Sequence, residues 1–186
     1  VDGEGSRRPQ EATIARLQRN DSTKEDVLEQ FATMTLGSGG AAMVLGKASI
    51  HGGHRFRGGV SRAATQHKQL CTGDLDFMRT DSRGLLEAGV ALARDTWDDA
   101  QAQFSWSDLD TYILHQVSKV HNAALIAALG IDPAKVPTTF PLHGNIGPAS
   151  VPFTLAQSVD DLRAGDRIAC MGIGSGLNAA VIEIDW

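Results

Sequence analysis

His115 stands in Leu114-His115-Gln116-Val117-Ser118, directly after the short apolar run Thr111–Leu114 and before a helical stretch. An imidazole at the carboxyl end of a buried strand is fixed by the strand and left open by the loop that follows. In α/β sheets that edge is where ligands and reacting groups collect. Such a ring can donate a hydrogen bond or move a proton, and it equally fits a structural role bonded to a backbone carbonyl. Thirty positions on (145 − 115), Asn145 lies in His143-Gly144-Asn145-Ile146-Gly147-Pro148, a tight loop that feeds a helix. Its amide nitrogen can donate toward a substrate oxygen, and an asparagine is also what a left-handed turn selects. His143 is near enough in sequence to line the same pocket.

Gly172-Ile173-Gly174-Ser175-Gly176 has the look of a phosphate-binding loop. Such loops must open a helix, so that the helix N-terminus faces the phosphate. This one opens the apolar run Ala179 to Ile184, which reads as a strand. What remains is a turn whose bare backbone, at Gly174 and Ser175, can approach a substrate and offer N–H groups. The other candidates carry less. His121 reads as a helix-surface residue, and His51, His54 and His67 lack the spacing of a metal site. Cys170 sits in an apolar strand as an inert thiol, and Cys71 lies in a polar loop with no activating helix terminus.

The elements that would position these groups follow from periodicity. Pro9 to Leu17 reads as a helix, and Asp21-Ser22-Thr23 before Glu25-Asp26 as the cap of a second. Phe31 to Leu36 and Ala41 to Leu45 read as two strands around a glycine turn. His51 to Thr80 is polar and irregular. Ser82 opens a long helix to about Gln103, Thr111–Leu114 is a strand, and Ser118 to Leu129 is a helix stopped at Gly130. Val136 to Phe140 is a candidate strand, Gly147 to Leu162 a helix, and Arg167 to Ile173 and Ala179 to Ile184 the last two strands. Strands alternating with helices indicate an α/β layered sheet.

Composition removes several classes of function. With 17 basic and 22 acidic side chains among 186 residues the net charge is −5. No basic stripe is available for nucleic acid or an anionic membrane. The longest apolar run, Ala123 to Ile131, is nine residues, too short to span a bilayer. Two cysteines without a local partner make no disulfide framework, and a reducing cytoplasm is the expected location. The chain opens at Val1 without methionine, as a piece of something larger would. Leu36-Gly37-Ser38-Gly39-Gly40-Ala41-Ala42-Met43-Val44 is echoed by Gly174-Ser175-Gly176-Leu177-Asn178-Ala179-Ala180-Val181. This is either a chance match of small residues or the trace of a duplicated unit.

Taken together, His115-Gln116, His143-Gly144-Asn145, Ala149-Ser150-x-Pro152 and the glycine-rich closing strands resemble the 3-oxoacyl-ACP synthase III branch of the thiolase superfamily. Within it, Leu114 to Ser118, Gly144 to Ser150 and Gly172 to Asn178 look most like OleA-type enzymes, which condense two acyl-CoAs head to head in olefin biosynthesis. The fatty-acid-initiating synthases usually carry asparagine where Ser118 stands. The resemblance implies a thiolase-like fold, an αβαβα layered sandwich of two similar halves. Residues 1–47 would end the first half and residues 48–186 would form the second. Members of the family are about twice this long, and their nucleophilic cysteine lies in the first half. Neither Cys71 nor Cys170 matches it, so the chain alone is expected to be inactive.

By the same resemblance, His115 and Asn145 are catalytic and hold a thioester oxygen as an enolate forms, while the Gly174–Ser175 backbone serves the second oxyanion. Lys119 would meet the phosphates of CoA or a carrier protein, or else be a solvated surface lysine. The α-proton would go to a glutamate of a partner subunit, with Glu4 and Glu11 as weak substitutes. No cofactor and no metal are implied. The substrates are acyl-CoA thioesters, and the partners are the missing first half and a second subunit, in a homodimer or a heterodimer. Two other readings stand beside this one: decarboxylative condensation with malonyl-ACP, and a nucleophile-free structural subunit of a heteromeric enzyme.

Overall fold

The computed structural model of the chain describes residues 1–74, 76–104, 106 and 108–186. In chain order the first elements are β1 (Asp2–Glu4), α1 (Arg7–Leu17), α2 (Lys24–Met34), β2 (Gly39–Ala41), α3 (Ala48–His51) and β3 (Arg55–Ala63). A hairpin of β4 (Cys71–Gly73) and β5 (Met78–Thr80) leads into the long helix α4 (Ser82–Phe104). Then come β6 (Thr111–Leu114), α5 (Lys119–Leu129), α6 (Phe140–His143), α7 (Ser150–Gln157), β7 (Arg167–Gly174) and β8 (Asn178–Asp185).

One four-stranded sheet, ordered β3-β8-β7-β6, organises the molecule. β6 and β7 run parallel, so the chain between them must cross over, and α5 to α7 occupy that crossover. β8 returns antiparallel to β7, and β3 adds antiparallel to β8. Side chains alternate across the pleat. Tyr112, Leu114, Ala169 and Met171 face one core with Ala93 and Trp97 of α4 and Leu125 and Leu129 of α5. Ile113, Ile168, Cys170 and Ile184 face the other core, against Leu155 of α7. The result is an α/β/α sandwich.

Helix α4 buries Gly89, Leu92, Ala93, Thr96, Trp97 and Ala100, the spacing of one helical face. α5 begins on Ser118, whose hydroxyl accepts the His121 N–H, and stops at left-handed Gly130. A buried carboxylate ties the sheet to the end of α4. Glu183 accepts from Trp106 Nε1 and from Arg167 Nε at 2.8 Å, so its charge is paired.

Four expectations need correction. Phe31 to Leu36 is not a strand: Thr23 and Asp26 form a reciprocal capping box that starts α2, and the helix runs through Met34. Strand structure ends at Ala41 and does not reach Leu45. Hence the two Gly-Ser-Gly segments do not sit in matching strand–turn–strand units. Val136 to Phe140 makes no strand, because Pro137 has no N–H to give a ladder, and Phe140 with Pro141 begins α6 instead. The single helix expected from Gly147 to Leu162 is divided into a 3-10 turn at Gly147–Ala149, α7, and a second 3-10 turn at Val159–Asp161. The unread stretch before Thr80 holds the edge strand β3 and the β4–β5 hairpin.

Candidate active site

Because β6 and β7 are parallel, the loops that leave their carboxyl ends open at the same edge of the sheet. His115 is the first residue past β6, and its N–H continues the ladder to Met171 O at 2.9 Å. The ring is therefore anchored by main chain while its own nitrogens make no hydrogen bond among the described residues. Half-buried in an apolar surround and close to His121, its pKa is pushed down to about 4, burial being the larger cause. At neutral pH it is an uncharged imidazole with one N–H to give.

Asn145 reaches the same place from a different direction. Its backbone is clasped by residues 35–37: Asn145 N–H donates to Thr35 O at 3.0 Å, and Gly37 N–H donates to Asn145 O at 2.7 Å. Its side chain is set by an Asx turn, in which Gly147 N–H donates to Oδ1 at 3.0 Å. A backbone N–H can face only an acceptor, so the oxygen is assigned by that bond and Nδ2 is the free donor. Gly147 has φ +55°, and a methyl there would run into the Glu4 carboxylate. The positive φ selects glycine, while the Glu4 carboxylate could swing aside. Gly37 is equally constrained, since a Cβ would collide with His143 O.

Gln116, fully buried, ties the two loops together. Its Nε2 donates to Leu114 O at 2.8 Å and to Pro137 O at 3.4 Å, while its Oε1 accepts from Thr139 N–H at 3.0 Å and Phe140 N–H at 3.4 Å. This satisfied amide couples the end of β6 to the segment that leads to Asn145. The sequence shows Gln116 beside His115 but not this coupling role, because three of its four partners lie more than twenty residues away.

These groups surround one cavity of about 850 Å3. His115, Asn145, Gly174 and Ser175 all line it, together with apolar side chains such as Leu86 and Val90 of α4 and Leu125 of α5. The Ser175–Gly176 turn is pinned to the end of β3 by paired backbone bonds between Ala64 and Leu177 at 2.8 and 3.2 Å. His143 and Lys119 are not brought into the cavity. His143 is exposed, with its ring edge-on to Phe153 at 4.8 Å, because the turn into Gly144 aims it away. Lys119 is exposed on the outer side of α5.

Glu4, Cys71 and His121, each weighed in the sequence, also line the cavity. Cys71 Sγ lies 3.5 Å from Thr80 Oγ1 across the hairpin. His121 is held by Ser118 and half-buried, which corrects its reading as a helix-surface residue. Cys170 is buried in the sheet, and the apolar surround pushes its thiol up to about 12, so it stays protonated. Among the described residues no three His, Cys, Asp or Glu side chains come together as a metal site. Among the described residues no helix is long and apolar enough to cross a membrane.

The family model for the C-terminal part of 3-oxoacyl-[acyl-carrier-protein] synthase III matches residues 100–186. Over its whole length the chain is 46% identical to an acyl-CoA:acyl-CoA alkyltransferase of Xanthomonas campestris, of which it covers 56%. It is 38% identical to the Shewanella oneidensis enzyme of that name, over 89% of this chain and 52% of the relative. A β-ketoacyl-[acyl-carrier-protein] synthase III of Mesorhizobium japonicum is 31% identical over 62% of this chain and 37% of its own. Among solved structures, Xanthomonas campestris OleA, in a cysteine-to-serine variant with bound lauric acid and lauroyl-CoA, superposes with a TM-score of 0.97 at 45% identity. That superposition covers all of this chain and 56% of the other. The chain thus spans about half the length of these relatives, and its fold is thiolase-like. The chain is thus similar, over residues 100–186, to the C-terminal part of 3-oxoacyl-ACP synthase III and, over its whole length, to the OleA-type acyl-CoA:acyl-CoA alkyltransferases.

Proposed function

We propose that this chain supplies the donor half of an acyl-CoA condensing enzyme, which joins two acyl thioesters by Claisen condensation. Residues 1–47 would close a first thiolase-like half and residues 48–186 form the second. The nucleophilic cysteine would come from sequence outside this chain. Its thiolate attacks the first thioester carbonyl and CoA thiol leaves. A second acyl thioester then enters with its carbonyl oxygen between His115 and Asn145 Nδ2. Its α-carbon gives a proton to a base, and charge moves to that oxygen. The carbon attacks the acyl-cysteine carbonyl, the thiolate leaves, and hydrolysis of the remaining thioester gives a 3-oxo acid. Gly174 and Ser175 would offer backbone N–H groups to the oxyanion on the cysteine side.

The observation that carries this reading is that His115 and Asn145 line one apolar cavity, each held by main chain and each with an unspent N–H. Two neutral donors fixed in a mostly apolar pocket suit an enolate, because they need not reorganise as charge appears. Neither Cys71, in the hairpin, nor Cys170, protonated in the core, fits the nucleophile. A homodimer, and a place in long-chain olefin biosynthesis, belong to the same proposal.

The test is kinetic, in the full-length protein. His115→Ala and Asn145→Ala should leave cysteine acylation by an acyl-CoA intact and lower condensation about a hundred- to thousandfold, the loss typical of one oxyanion donor. Failure of acylation in either variant would reverse the assignment of roles. Turnover with malonyl-ACP but not with two acyl-CoAs would replace the reaction by its decarboxylative relative. Steady condensation by residues 1–186 alone would contradict the division of labour.

A further inference from the structure

The first turn of α5 carries a second imidazole to the cavity wall. Ser118 Oγ lies 2.9 Å from His121 Nδ1 and accepts the His121 backbone N–H at 3.3 Å. A hydroxyl has one proton to give and two lone pairs. The backbone N–H occupies one lone pair, and Nδ1 is the acceptor the hydroxyl proton meets among the described residues. Nδ1 is then the bare nitrogen and Nε2 carries the hydrogen. Burial lowers the pKa of this ring, so it is neutral near pH 7 and the tautomer set by Ser118 persists. His121 makes no hydrogen bond through Nε2 among the described residues, yet it lines the cavity that holds His115 and Asn145.

Its place along the path matters. His115 is held against the sheet by its N–H bond to Met171 O, and both rings line the one cavity. Lys119 and Val120, on the same turn as His121, are exposed to solvent. His121 is thus on a solvent-facing turn and also on the wall of the cavity that holds His115. On the acyl-thioester reading, a substrate whose carbonyl rests at His115 leads its pantetheine arm outward past this solvent-facing turn. That arm carries amide carbonyls, which are acceptors, while the neighbouring cavity wall is mostly alkyl.

We propose that His121 is a positioning residue for the CoA substrate: its Nε2–H donates to an amide carbonyl of the pantetheine arm, in the tautomer that Ser118 selects. The inference rests on the acyl-thioester reading above, and adds to it which part of the substrate α5 holds.

The test uses the full-length protein and calorimetric titration with three probes: CoA, lauroyl-CoA and lauric acid. His121→Leu should weaken CoA and lauroyl-CoA about tenfold, the order of one hydrogen bond, and leave lauric acid within about twofold. His121→Gln, which keeps an N–H near the same point, should recover most of the loss. Ser118→Ala, which frees the tautomer, should fall between. In turnover, KM for acyl-CoA should rise with the dissociation constant while kcat moves less than about threefold. Unchanged CoA affinity in His121→Leu would overturn the assignment. So would an equal loss for lauric acid, which would mark collapse of the cavity instead of a lost contact. Should His121→Leu not fold, the Gln and Ala variants decide on the same measurements. A wild-type protein that binds neither CoA nor lauroyl-CoA would fail before any variant is made, and would bring down the acyl-thioester reading itself.

Discussion

Residues 1–47 bury Ser6, Thr13, Gln30 and Thr33, and expose Ile14, Val27, Leu28, Phe31, Met34, Met43, Val44 and Leu45. Three of the buried groups, Thr13 Oγ1, Gln30 Oε1 and Thr33 Oγ1, have no hydrogen-bond partner among the described residues. Residues from Ala64 onward are arranged the other way: Leu109, Ile113, Ile168 and Val181 are fully buried, and all three hydrophobic clusters are drawn from this part. The difference separates two ways of holding a site. The sheet fixes His115 and the Gly174–Ser175 turn with a packed core behind them. The early segment fixes Asn145 with backbone hydrogen bonds and a tight glycine contact, and has little apolar packing of its own. Half of the donor pair therefore rests on the part of the chain with the weaker core.

The largest effect should come from the packed region. Ile113 is fully buried in the sheet, so Ile113→Ala removes apolar surface and leaves a cavity, at a cost of about 2–5 kcal/mol in urea unfolding. A loss under about 1 kcal/mol would mean that the sheet core is not what stabilises the fold.

Protons probe the same contrast. Folded, His115 stays neutral down to about pH 4, whereas an unfolded histidine takes its proton near 6.5. Between those values the unfolded chain binds more protons. The contribution is therefore complete above about pH 6.5 and is lost as pH falls through about 4, to a total of about 3 kcal/mol. His121 is shifted in the same direction and adds to the trend. Unfolding curves at pH 7.5 and pH 4.5 should diverge less in His115→Asn than in the parent. Equal divergence would show that His115 is not desolvated.

The clasp around Asn145 is tested by Gly37→Ala. The added methyl meets the His143 carbonyl and Ile146, and backbone cannot yield as a flexible side chain would. A cost of about 1–3 kcal/mol is expected. Condensation by the full-length enzyme should fall more than cysteine acylation, because the displaced loop carries Asn145. Equal loss of both activities would point to general unfolding.

How much of this the sequence disclosed follows the same divide. α4 and α5 were readable because their apolar faces repeat at helical spacing between a serine start and, for α5, a glycine stop. His115 was readable because it ends an apolar strand. β3 was not: as a largely exposed edge strand, with Arg55 and Arg57 in solvent, Arg62 bonded to Asp99 of α4 and a bulge between Phe56 and Gly58, it has no clean alternation. Phe31 to Leu36 read as a strand from threonine and apolar content, a local preference that the Thr23–Asp26 capping box overrode. Gln116 and His121 were missed as site residues, and Glu4 was read only as a weak substitute base, for a single reason. Each is defined by what it meets across the fold, and His121 sits on a helix whose face toward the cavity is set by packing against α4.

The smallest effect belongs to the exposed face of α2, and it makes the comparison sharpest. Leu28 and Phe31 are 60% and 57% exposed, more than most side chains of their size. Leu28→Ala removes little buried surface in this chain, and alanine is the better helix former. Stability in urea should move by no more than about 0.5 kcal/mol, in contrast to Ile113→Ala. Hydrogen exchange should agree, with α1 and α2 amides opening at lower free energy than those of β6, β7 and β8. If Leu28→Ala cost as much as Ile113→Ala, or α2 were protected as strongly as β7, the early segment would have a core of its own and the contrast drawn between the two regions would be lost.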